Sequence, residues 1–68
     1  MRYVILIDGR PDPATTFFAD LSEAKRRAEG TAAEHADAEI CIEGYPAAAG
    51  PMPTWRYDRE VALWVFKS

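Results

Sequence analysis

Asp20 to His35 reads DLSEAKRRAEGTAAEH, and the rest of the fold is built out from this stretch. Asp20 with Glu23 three residues on forms a D-x-x-E capping signature. The Asp20 carboxylate suits the free amides of a first helical turn, and Glu23 suits a reach back to the cap. Both charges also suit the positive end of a helix dipole. Leu21, Ala24, Ala28, Thr31, Ala32 and His35 recur at spacings of three and four, so they share one helical face. Glu23, Lys25, Arg26, Arg27, Glu29 and Glu34 occupy most of the remainder. The inward stripe is mostly alanine, so the helix can lie close to its neighbour, which must supply the bulky side chains. Gly30 costs about 1 kcal/mol relative to alanine. It marks close backbone approach, a bend, or simply a tolerated glycine.

Every other apolar run reads as strand. Before the helix, Arg2 to Asp8 (RYVILID) is β-branched and aromatic and apolar on both faces, as a central strand should be. Gly9 to Pro13 (GRPDP) is dense in turn formers. Ala14 to Phe18 (ATTFF) favours a strand in a hairpin with the first one, with extended coil as the alternative. After the helix, Ala36-Asp37-Ala38 is an exit loop, and Glu39 to Glu43 (EICIE) alternates cleanly between a buried and a wet face. Gly44 to Pro53 (GYPAAAGPMP) reads as a loop. Thr54 to Tyr57 is a strand, Asp58-Arg59-Glu60 a tight polar turn, and Val61 to Phe66 (VALWVF) a last strand apolar on both faces. One of those faces should meet the helix. The other then exposes aromatics or lies under the 44–53 loop. The order is ββαβββ. The expected architecture is a single α+β domain over residues 1–68: a mainly antiparallel sheet of four or five strands with one helix on one face.

The chain has 68 residues, which bounds the core: a domain this short buries only ~60% of its unfolded surface. Its single cysteine, Cys41, excludes an internal disulfide and a cysteine-based zinc cluster. Met1 to Ile7 is too short an apolar run for a signal peptide, and nothing approaches the length of a membrane span. The expected location is the cytoplasm. Net charge is −3. Residues 20–43 hold seven acidic side chains (Asp20, Glu23, Glu29, Glu34, Asp37, Glu39, Glu43) against three basic ones, which leaves +1 for the remainder. Nucleic-acid binding wants a basic footprint. An acidic segment suits a solvated face, or a partner with a basic groove.

Catalytic and metal chemistry find little to work with. His35 is the lone histidine, near the expected helix end, where capping or solvent exposure is the simpler role. Cys41 sits between Glu39 and Glu43, whose charge opposes a reactive thiolate. No serine or threonine has a visible base partner, and Gly44 and Gly50 open no phosphate loop. The chain is expected not to be an enzyme and to need no cofactor or metal. Two binding constellations remain. One is the acidic set. The other is Trp55, Arg56, Tyr57, Arg59, Trp64 and Phe66 on the last two strands, residues that anchor interfaces and equally build cores and cross-strand pairs. Base stacking by the same aromatics is disfavoured by the acidic balance.

The phrase L-S-E-A-K-R-x-A on the helix (Leu21 to Ala28), the W-x-Y of Trp55 to Tyr57 and the closing W-V of Trp64-Val65 add a resemblance. Together with the element order they resemble small type I anti-CRISPR proteins of phages and mobile elements, type I-F inhibitors among them. The match spans about half the chain, in two pieces. The resemblance implies a non-enzymatic inhibitor that docks on a type I Cascade effector complex and blocks target-DNA binding. The usual target is the backbone subunit lining the DNA path. The type I-F pattern is more basic than this chain, so its contact residues are not carried over. An acidic surface can instead cover the lysines and arginines that hold DNA phosphates. The expected partner-binding residues are Glu29, Glu34, Asp37, Glu39, Glu43, Trp55, Arg56 and Tyr57, with no direct nucleic-acid or membrane contact. The alternative is a small structural or regulatory oligomerising protein of a phage or mobile element. The two-sided apolar strands permit a homodimer.

Overall fold

In the computed structural model, residues 1–48 and 50–67 are described. Ala49, within the loop expected over 44–53, and Ser68 lie outside them. The elements are β1 (Arg2–Ile7), β2 (Arg10–Pro11), α1 (Leu21–Glu34), β3 (Ile40–Tyr45), β4 (Thr54–Asp58) and β5 (Leu63–Lys67). All strand pairings are antiparallel, in one open sheet ordered β2-β1-β3-β4-β5. The α+β class and the ββαβββ order are therefore as expected, with five strands and one helix.

The second strand is not where the threonines and phenylalanines suggest. Asp8 and Gly9 both have positive φ, 52° and 82°. That is the backbone of a two-residue primed turn, whose twist matches that of the flanking strands. Strand pairing resumes at once, with Ile7 opposite Arg10 and Leu6 opposite Pro11. Asp12 N–H then donates to Ile5 O at 2.9 Å. The Asp12 carboxylate accepts from Ala14 N–H at 2.9 Å, which turns the chain off the sheet at Pro13. Residues 14–18 pair with the sheet again only at Phe18, which exchanges both backbone hydrogen bonds with Tyr3, while the Arg2 guanidinium of β1 lies 4.6 Å from the centroid of the Phe17 ring. Other boundaries move: β1 ends at Ile7, β3 starts at Ile40 and β5 ends at Lys67. Gly44 and Tyr45 belong to β3 rather than the loop. β4 extends to Asp58, and β5 starts at Leu63 because Arg59 to Ala62 form the turn.

The helix begins as its cap dictates. Asp20 has extended backbone, and its carboxylate accepts from Ser22 N–H at 3.3 Å. Ala24, Ala28, Thr31 and Ala32 are buried and Leu21 is half-buried, but His35 at the C-cap is exposed. α1 lies over β1 and β3. The alanine stripe meets Ile5, Ile40 and Ile42, which are fully buried. Tyr3, Ile7, Phe18, Leu21, Trp55, Tyr57 and Trp64 pack around this centre. Pairing registers put Tyr3, Trp55, Tyr57, Trp64 and Phe66 on the helix side of the sheet. The far face carries Val4, Leu6, Cys41, Glu43, Arg56 and Val65. The aromatics of β4 and β5 thus flank the helix, and the far face is mostly aliphatic and charged, with Tyr45 beside Glu43.

Gly44 is needed for a close approach. A Cβ there would sit 2.9 Å from Met1 Sδ and 3.1 Å from Pro53 Cγ. Its N–H donates to Pro53 O at 2.8 Å, which carries the β3–β4 ladder one step beyond the named strands.

Candidate functional site

The helix C-terminus closes on His35, whose N–H donates to Thr31 O at 2.9 Å. No basic residue occupies its last turn. Arg59, from the β4–β5 turn, supplies further donors. Its guanidinium donates to the carbonyls of Ala32, His35 and Ala38. One planar fork thereby reaches two carbonyls of the helix end and one of the exit loop, the His35 oxygen also accepting from Ala38 N–H at 3.1 Å, and places a positive charge at the negative pole of the dipole. Arg59 thus holds the protein's own backbone.

This tie draws the exit loop and the end of the β4–β5 hairpin together. Between them lies a shallow open cleft of about 480 Å³, lined by Ala36 to Glu39 and Arg56 to Glu60. Four of its side chains are carboxylates: Asp37, Glu39, Asp58 and Glu60. Two are arginines, Arg56 and Arg59, and Arg59 is committed to the helix end. Asp8 stands at the same end of the sheet. Its carboxylate accepts from Glu39 N–H at 2.9 Å, and its own N–H donates to Glu39 O at 2.9 Å. Asp58 accepts from Glu60 N–H at 3.0 Å, which fixes the turn. The helix end and these carboxylates make this pole of the molecule acidic.

Of the eight residues expected to bind a partner, Asp37, Glu39, Arg56 and Tyr57 meet at this cleft. The others are dispersed. Glu29 accepts from Trp64 Nε1–H at 3.1 Å and latches α1 to β5. Glu34 lines a separate hollow of about 180 Å³ with Asp12, Arg26, Arg27 and His35. Glu43 is on the far face and accepts from the Tyr45 hydroxyl. Trp55 lies on the helix side between Tyr3 and Phe66, with centroid separations of 5.8 and 5.6 Å. Tyr57 packs on Trp64 at 5.0 Å. Asp58 and Glu60 were not foreseen as site residues. Read linearly they belong to a polar turn, and only the β3–β4 register sets them beside the exit loop.

Cys41 is buried on the far face, and its Sγ lies 3.7 Å from Glu39 Oε1. Burial, then the charge of Glu39, pushes its thiol above the ordinary value. Among the described residues, no group of three or more His, Cys, Asp or Glu is placed to hold a metal ion. No helix among them is long and apolar enough to cross a membrane.

Comparison with family models, with curated proteins and with solved structures found no match.

Proposed function

We propose that the chain is a non-enzymatic protein-binding inhibitor that meets its partner through the acidic pole. The observation that carries this reading is the cleft where Asp37, Glu39, Asp58 and Glu60 stand together at the helix C-terminus. Four carboxylates against two arginines, Arg56 and Arg59, leave this open surface net negative and favour a partner that presents lysines and arginines. A groove built to hold nucleic-acid phosphates is such a partner. The sequence resemblance to type I anti-CRISPR proteins supplies a specific candidate, the DNA path of a type I Cascade complex in the host cytoplasm. Occupying that path blocks target-DNA binding by competition for the same basic groups. The reading needs no chemistry, only complementarity and a rigid platform, which the Arg59 tie provides.

The test is binding of the purified protein to purified type I Cascade complexes, with target-DNA binding followed in the same sample. The expected outcome is a stable complex that no longer takes up DNA. Asp37→Lys combined with Glu39→Lys should weaken it by at least roughly tenfold, since close interfacial charge pairs couple by about 1.5 kcal/mol or more. Glu34→Lys, in the neighbouring hollow, measures how far the contact extends. Unchanged inhibition by the double variant sinks the acidic-pole mechanism, and absence of binding to every type I complex sinks the Cascade assignment.

A further inference from the structure

The two edges of the sheet are built differently. β1 is covered by the segment that follows it. β2 is two residues long, contains Pro11, and leaves the sheet after Asp12. Proline and a short, bent edge are ordinary protections against pairing with another chain. β5, at the other edge, has none of them. It runs Leu-Trp-Val-Phe-Lys without proline or bulge. Apart from the exposed Lys67 at its end, its exposed side chains are apolar on both faces: Leu63 is 62% exposed, Phe66 59% and Val65 39%.

Its backbone is equally open. Gly44 N–H donating to Pro53 O, and Tyr3 exchanging both bonds with Phe18, fix the alternation across the ladder. Carried through the registers, it turns Leu63, Val65 and Lys67 toward β4 and the N–H and C=O groups of Trp64 and Phe66 outward. Two outward residues separated by one inward residue are self-complementary about a two-fold axis.

We infer that two copies of the chain pair β5 to β5, antiparallel and centred on Val65, making one continuous ten-stranded sheet. Trp64 of each copy then exchanges both backbone bonds with Phe66 of the other, four hydrogen bonds in all. Val65 faces Val65 of the second copy across the axis, so no charge meets its own kind there. On the helix side Trp64 lies beside the second copy's Phe66 and extends the aromatic row, a favourable cross-strand pair. Charge complementarity fixes the second copy as occupant. The same pairing sets Lys67, the only charged residue of β5, beside the end of the other copy that carries Asp58 and Glu60, and does so twice. Five residues per strand fall short of a standard interface of about 800 Å² per partner, so the dimer is reversible. This goes beyond the partner-binding reading, and although the two share Asp58 and Glu60, solution mass and cross-linking test it apart from Cascade binding.

Sedimentation equilibrium of the full chain over low to high micromolar concentration is the first experiment. The expected result is a rise from monomer to twice the monomer mass, with the amides of Trp64 and Phe66 gaining protection as the mass rises. Register is read by cysteine cross-linking. Non-hydrogen-bonded antiparallel pairs stand about 4.5 Å apart at Cα, within disulfide reach. Val65→Cys should therefore oxidise to a covalent dimer at least roughly tenfold faster than Leu63→Cys, which faces Lys67 rather than itself. Val65→Lys places like charges on the axis and should return the protein to monomer. Monomeric mass at every concentration overturns the inference. So do equal cross-linking at the two positions, or a dimer that Val65→Lys leaves intact.

Discussion

Cys41 joins a buried aliphatic position to a neighbouring carboxylate, and the two act on the thiol in the same direction. Burial and the Glu39 charge both favour the protonated form, so the folded-state pKa lies above the ordinary value near 9.0. For a group raised on folding, the stabilising contribution is complete below the unfolded value and is lost as pH rises through the folded one. Stability should thus decline with pH above about 9, more steeply than in Cys41→Ala, whose position cannot ionise. Chemical denaturation at a series of alkaline pH values reads this directly. A parallel pH dependence in the two proteins would mean that Tyr45, raised by its bond to Glu43, or other groups dominate. Of the two glutamates that flank the thiol in sequence, Glu39 raises it and Glu43 takes no part. The burial that contributes most required the strand's own placement.

At the scale of elements, the tightest demand on backbone is the β1–β2 connection. Gly9 at φ 82° occupies the left-handed region, where a Cβ costs roughly 1–2 kcal/mol. Nothing lies within 4 Å of a Cβ built there, so the cost of Gly9→Ala is conformational alone. Thermal or urea unfolding should show a loss of about 1 kcal/mol without a change in m. The apolar run through Asp8 favours a strand to that residue, and the turn formers of Gly9 to Pro13 favour a longer connection than the two-residue turn at Asp8 and Gly9. The β-formers at 14–18 then claimed the second strand. Propensity lost there to register: once Ile7 meets Arg10, Asp12 and Pro13 have already led the chain off the sheet. The helix was readable almost to the residue, because its cap and its alanine spacing are local facts. The acidic cleft was readable in half. Asp37 and Glu39 are adjacent to the helix end in sequence, whereas Asp58 and Glu60 arrive there only through pairing of β3 with β4.

Across the whole molecule, few contacts bind the late part of the chain to the early part as directly as Arg59. It spans 27, 24 and 21 residues to Ala32, His35 and Ala38. Arg59→Ala leaves the helix end without these donors and should cost about 2 kcal/mol, since each bond has a charged donor. The two ends of α1 are therefore finished at different times. Asp20 closes the first turn from within the helix, in the submicrosecond range of helix formation. The last turn waits for a hairpin that must first be threaded beside β3. A contact that needs the hairpin already in place is expected on the late side of the folding barrier, so Arg59→Ala should leave the refolding rate nearly unchanged and speed unfolding by roughly thirtyfold. Stopped-flow measurement of both limbs separates this from an early role, which would slow refolding instead. Arg59 is then expected to act as a clasp on the finished fold, setting how long the native state survives and hardly how soon it is reached.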